Sequence, residues 1–149
     1  MNKILVVGGV AVDTIVRNGK RYEVPGGAGV YTALAAAACG AEVSLLALQP
    51  EPLPQVLLPI AERLYEWQGP LIPAGELSHF EIGLDADDHV FRVVNIGPEN
   101  LLTVDMLPTD IHQYDCVHVT PVSGVARQLD FVRSLKRKGA KKISAGTFI

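Results

Sequence analysis

Asp13 and the pair Gly26-Gly27 are the residues whose types and spacing point to chemistry in this sequence. Pro25 precedes the two glycines, fixes one backbone angle and blocks helix upstream of itself. Glycines reach torsions closed to other residues and let the backbone come close to a ligand. They lead into residues 28–39, which are small and mostly apolar. The amino terminus of a helix starting there aims backbone N–H groups outward, and such an end attracts anions and polar oxygens. Asp13 falls just past a short apolar run that reads as a buried strand. A carboxylate in that place can accept hydrogen bonds from paired hydroxyls, as a sugar ring requires. Asp13 and the diglycine could share the carboxyl edge of that strand, where open α/β sheets bind ligands. The plainer alternatives are a tight turn for the glycines and a turn or capping role for the aspartate.

The elements that must position these residues follow from hydrophobic pattern and turn chemistry. Residues 3–8 form a short, continuous, largely apolar run with β-branched residues, expected as a buried central strand. Residues 10–17 are too β-branched for a helix start, and Asn18-Gly19 is a strong hairpin signal, with residues 20–24 as the return strand. A dinucleotide-binding fingerprint needs a helix directly after the first strand, so a Rossmann oxidoreductase domain fits poorly. Val30, Ala33, Leu34, Ala37 and Ala38 recur at helical spacing, and the opposite face has almost no charge. That pattern predicts a buried helix ending at Gly40. A strand is expected at 42–48, a proline-rich break at 49–54, an amphipathic helix at 55–67 and a short strand at 70–73. A second hairpin is expected from strands 79–84 and 89–95 around a polar turn at 85–88. Residues 97–110 read as loop with one helical turn near 104–107. A buried strand follows at 115–120. Ser123 is expected to cap a helix running to Lys138, with Gly139 at its end and a last strand at 141–145.

A chain of 149 residues, 48% hydrophobic and 19% charged with net charge −3, suits one globular domain. That balance gives no nucleic-acid footprint. The run Arg133, Lys136, Arg137, Lys138, Lys141 and Lys142 reads as a solvated helix end. No apolar run approaches the roughly 20 residues that span a bilayer, and Met1-Asn2-Lys3 leads straight into a strand, without a signal peptide. Cys39 and Cys116 sit in apolar elements and read as buried free thiols of a reducing, cytoplasmic compartment. No cysteine–histidine cluster suggests a metal.

Together, Val6-Val7-Gly8-Gly9-Val10-Ala11-Val12-Asp13, Pro25-Gly26-Gly27-Ala28-Gly29-Val30-Tyr31-Thr32-Ala33-Leu34-Ala35 and the continuation through Cys39-Gly40-Ala41-Glu42-Val43 resemble the first signature region of the PfkB, or ribokinase-like, carbohydrate kinases. The resemblance implies a three-layer αβα fold with a mostly parallel sheet and a small β-hairpin lid, at about 12–24 and 79–95. It covers only the amino-terminal portion of such a kinase, here 1–149. It implies transfer of the ATP γ-phosphate, with Mg2+, to a hydroxyl of a sugar, nucleoside or cyclitol. It puts Asp13 on substrate hydroxyls, and has Gly26 and Gly27 bring backbone to the substrate and hinge the lid. Tyr31 stands where the family often has Asn, which suggests another substrate or a stacking contact, against a plain core tyrosine. A sugar-contacting acid usually follows the strand that ends here at Thr120, and only Thr120 and Pro121 are on offer. The family's second signature, an Asp-Thr-x-Gly-Ala-Gly-Asp-like stretch that supplies the catalytic base, is absent from the sequence. The expectation is thus a substrate-binding half without its own catalytic residue, inactive by itself. The alternative is a sugar- or nucleoside-binding module without phosphotransfer. Open lid and sheet edges lead us to expect a homo-oligomer.

Overall fold

The computed structural model describes residues 1–84 and 90–147. The elements run in order: β1 (Lys3–Val7), β2 (Ala11–Arg17), β3 (Lys20–Gly26), α1 (Ala28–Ala38), β4 (Glu42–Leu46), β5 (Gln49–Glu51), α2 (Leu58–Ala61), β6 (Glu66–Gln68), β7 (Leu71–Pro73), β8 (His79–Gly83), β9 (Phe91–Asn95), β10 (Cys116–Val119), α3 (Val125–Arg137) and β11 (Ile143–Ala145). Short 3-10 turns fill the connections, among them Glu99–Leu101 and Val104–Met106.

Five strands form one parallel sheet in the order β11-β10-β1-β4-β6. Its central strands β1 and β4 are buried on both faces, so their apolar runs are nearly continuous, as is usual in parallel sheets. Side chains alternate between two cores. Val6, Val43 and Leu45 face Val30 and Ala33 of α1. Leu5, Val7, Val117 and Val119 face Phe131 and Leu135 of α3. Helices therefore cover both faces, giving the three-layer arrangement expected from the sequence. The two hairpins join into a separate four-stranded sheet, β3-β2-β8-β9, in which β2 and β8 run parallel. Asn18 and Gly19 both take positive φ, 50° and 69°, as a two-residue hairpin turn demands. The polar turn expected at 85–88 and His89 lie outside the described residues.

Several expectations need correction. The α1 helix is not buried all round: Tyr31, Ala35, Ala38 and Cys39 are exposed. Alanine is small enough to tolerate water, so a face without charge is not evidence that something covers it. Cys39 is consequently an exposed thiol, and Cys116 is half-buried. The helix expected at 55–67 is a 3-10 turn at Gln55–Leu57 running into the single turn α2, after which the chain extends into β6. Trp67 there pairs with Leu45, so a place at the sheet edge overrides local helical pattern. The proline-rich break contains β5, which pairs in parallel with β7. Ser123 is not the cap of α3: Gly124 holds that position at φ 102°, and Gly139, at φ 79°, follows the helix as expected. Among the described residues no helix is long and apolar enough to cross a membrane.

Candidate functional site

The site lies where β1 ends, at Gly8-Gly9, and where β3 passes into α1, at Gly26-Gly27. Asp13 is the third residue of β2 and pairs across the hairpin with Val24. It is 9% exposed. Its Oδ1 accepts a hydrogen bond from the Phe80 backbone N–H at 3.3 Å. Burial pushes the Asp13 carboxyl above its ordinary value of 3.8, and the Phe80 N–H and nearby His79 oppose the rise. His79 is itself anchored, with Nε2 2.8 Å from Thr14 Oγ1. Asp13 is thus a carboxylate held out of water with a single hydrogen-bond donor among the described residues, which leaves most of its acceptor capacity unused by them.

The glycines explain how the backbone closes around it. A Cβ on Gly26 would run into the Asp13 carboxylate. Gly27 has φ 91°, and a Cβ there would meet the Gly9 carbonyl oxygen at 2.5 Å. Gly29 fits by the same means, and its N–H donates to that carbonyl at 3.0 Å. Part of the amino terminus of α1 therefore serves the chain itself and is not bare, contrary to the expectation from the sequence. Gly9 also faces Glu99: a Cβ on Gly9 would lie 2.9 Å from Glu99 Oε1. The other oxygen of that carboxylate accepts the Ser123 N–H at 2.9 Å.

The remaining candidates are placed differently. Thr120 is 1% exposed, packed with Oγ1 against Gly8, and that hydroxyl has no partner among the described residues. Tyr31 is not a core tyrosine: it is 55% exposed, and its hydroxyl donates to the Pro25 carbonyl at 2.7 Å. It ties the first turn of α1 to the diglycine entrance. So Asp13, Gly26 and Gly27 come together, Tyr31 braces them, and Thr120 lies beneath the neighbouring Gly8.

Two features were not found from sequence. Phe80 and Phe91 stack with ring centroids 5.3 Å apart. Register puts Ile15, Tyr22, Ile82 and Phe91 in one row across the four-stranded sheet, on the face that carries Asp13. The alternation of residues 79–83 and 91–95 implied an apolar face, but only strand pairing aligns it with Asp13. The opposite face carries charge. Glu81 bonds Arg21 at 2.6 Å and lies 3.7 Å from Arg92, and the Arg21 hydrogen bond holds its carboxyl below the usual range. The second feature is Glu99, isolated in a loop and without any periodic signal.

A mostly parallel sheet between two helical layers, with a small second sheet over the carboxyl edge of its central strand, is the fold of the ribokinase-like, PfkB-type kinases. Solved structures bear this out. A PfkB protein from a Polaromonas species superposes with a TM-score of 0.71 at 14% identity, covering 100% of this chain and 56% of that one. A putative ribokinase II from E. coli gives 0.72 at 13% identity, covering 97% and 52%. A Burkholderia thailandensis nucleoside kinase, solved in complex with inosine, gives 0.70 at 14% identity, covering 95% and 51%. In sequence, the chain is 27% identical over 139 residues to a cytidine kinase of Thermococcus kodakarensis, covering 93% of this chain and 50% of that protein. No family model matches the chain. The chain therefore resembles sugar and nucleoside kinases along nearly its whole length, and spans about half the length of the relatives it matches.

Proposed function

We propose that these 149 residues are the substrate-binding part of an ATP-dependent kinase that phosphorylates a hydroxyl of a nucleoside, sugar or cyclitol. The observation that carries the reading is the Asp13 carboxylate, buried against Gly26 and, among the described residues, bonded only to the Phe80 N–H. A buried carboxylate with spare lone pairs costs free energy unless donors arrive to use them. Substrate hydroxyls are such donors. Gly26 and Gly27 let the chain close tightly on the Asp13 carboxylate and the Gly9 carbonyl, which fixes where that carboxylate stands. The apolar row with Phe80 and Phe91 offers flat faces to a nucleobase. That row, and the names of the relatives, favour a nucleoside among the three substrate classes.

ATP would supply the phosphoryl group. The described residues do not fit its site. No group of three or more His, Cys, Asp or Glu among them could hold a metal ion. The sequence also has no GxxxxGK[ST] loop to cradle phosphates. The residues here bind and orient the hydroxyl, and the four-stranded sheet acts as a lid that excludes water from it. The alternative is a sugar- or nucleoside-binding or interaction module without phosphotransfer.

A coupled assay with ATP, magnesium and a panel of sugars, nucleosides and cyclitols tests the assignment on this chain. The expected result is no substrate-dependent turnover, with calorimetric binding of at least one panel member. Turnover that survives purification and vanishes in Asp13→Ala would place a catalytic group within these residues and contradict the proposal.

A further inference from the structure

We propose that the pocket beside Trp67 binds a small organic ammonium ion with an apolar body. The pocket lies at the β6 edge of the parallel sheet, opposite β11, and shares no residue with the Asp13 site. Its volume is about 510 Å3, within the range of small-molecule sites. Gly69 sets its geometry. It turns the chain from β6 to β7 at φ 135°, and a Cβ there would collide with the Ala47 carbonyl. That tight crossing lets β7 pair with β5 past the end of β4, so β5, Leu71 of β7, Trp67 of β6 and Ala61 of α2 all border one space.

The lining selects the charge of the occupant. Pro50, Pro52, Leu53 and Leu71 supply apolar walls. The two prolines have no N–H to offer an anion. Glu51 is the one acidic or basic residue of the lining, and it stands exposed with no ion pair among the described residues. Gln49 spends its amide N–H on the Gly69 carbonyl at 3.0 Å, which leaves its own side-chain oxygen for a donor. Glu62 and Glu66 adjoin Ala61 and Trp67 in the chain and add negative charge. Arg63, the cation of this stretch, borders a different pocket with Ala37, Ala38 and Ala41. A carboxylate, a free side-chain carbonyl and apolar walls match an ammonium group on an apolar body, and phosphorylated ligands are repelled. Tryptophan, the strongest aromatic partner for cations, borders the same space. Trp67 is the single tryptophan of the chain, and its indole N–H is buried with no partner among the described residues. A buried donor in that state costs free energy, and its signal reports on this wall alone.

The test titrates phenethylamine, phenethyl alcohol and phenylacetate into the isotope-labelled chain and follows the Trp67 indole N–H signal by NMR. The three probes share one apolar body and differ in charge. Phenethylamine is expected to shift the signal saturably. Phenethyl alcohol should bind about tenfold more weakly, the size of one hydrogen bond to a charged group, and phenylacetate more weakly still. Glu51 is exposed, so Glu51→Gln is expected to keep the fold, and thermal melting checks this. In that variant the amine and the alcohol should bind equally. Should the variant not fold, the charge series on the wild-type chain decides alone. Alcohol or acid binding as tight as that of the amine overturns the cationic class. A preference for the amine that survives in Glu51→Gln overturns Glu51 as its source. No shift with any of the three overturns the pocket as a ligand site. A signal that moves on dilution without any probe shows a second copy of the chain covering the pocket, and overturns the proposal as well.

Discussion

Asp13 carries the account at the scale of single residues. Burial raises its carboxyl pKa in the folded state, so folding favours its protonated form. The stability linked to that proton is fully present below the unfolded value near 3.8 and is lost as pH rises through the higher folded value. Asp13→Asn removes the charge, so at neutral pH the variant should melt no lower than wild type, and any advantage should vanish near pH 3. Melting curves at the two pH values decide this. The same variant should lose about 1.5–3 kcal/mol of substrate binding, the range for hydrogen bonds to charged groups. A lower melting point with unchanged affinity would make Asp13 structural. Gly26→Ala gives an independent check. It puts a methyl group into the Asp13 carboxylate, so it should weaken substrate binding as Asp13→Asn does. In the double variant the two losses should fall well short of additive, since both act through one carboxylate. The proximity of Asp13 to the diglycine was legible in the sequence because an aspartate just past a buried strand and a Pro-Gly-Gly turn into a helix both fall at that strand's carboxyl edge. Tyr31, Glu99 and the Phe80–Phe91 pair were not, because their roles depend on contacts between segments far apart in the chain.

At the scale of elements, α1 shows where sequence patterning loses its grip. An Ala-rich run has no charged face to mark the water side, so the pattern implied burial where Ala35, Ala38 and Cys39 are exposed. Substituting Ser at Ala35 or Cys39 should shift stability by no more than about 0.5 kcal/mol in denaturant titrations, as at ordinary surface positions. The entrance of the helix is the reverse case. Gly27→Ala needs both a positive φ and space occupied by the Gly9 carbonyl. It should cost about 1–3 kcal/mol of stability through backbone strain and impair binding as well. Equal stability of Gly27→Ala and wild type would show that the turn relaxes freely. The strands β1, β4 and β10 were readable because burial on both faces leaves continuous apolar runs. The residues of β6 were not, since a three-residue edge strand is set by its partner β4 and not by its own composition.

At the scale of the whole molecule, two faces are left without cover. Phe91, Val93 and Val94 of β9 are exposed, and among the described residues β11 is an edge strand of the parallel sheet. Unpaired edges and apolar patches favour association, so the chain is expected to sediment as a dimer or larger species. Arg92 and Phe91 replaced together by Glu should shift it toward monomer, and a strictly monomeric wild-type chain would refute this expectation. The central claim is simpler and concerns what the fold holds over the carboxyl edge of β1. Isothermal titration of this chain with the nucleoside, sugar and cyclitol panel, wild type against Asp13→Asn, measures it most directly. The account predicts binding of at least one panel member, weakened about tenfold or more in Asp13→Asn with no fall in melting temperature. Equal affinity in the two proteins, or no binding of any member by wild type, would contradict it.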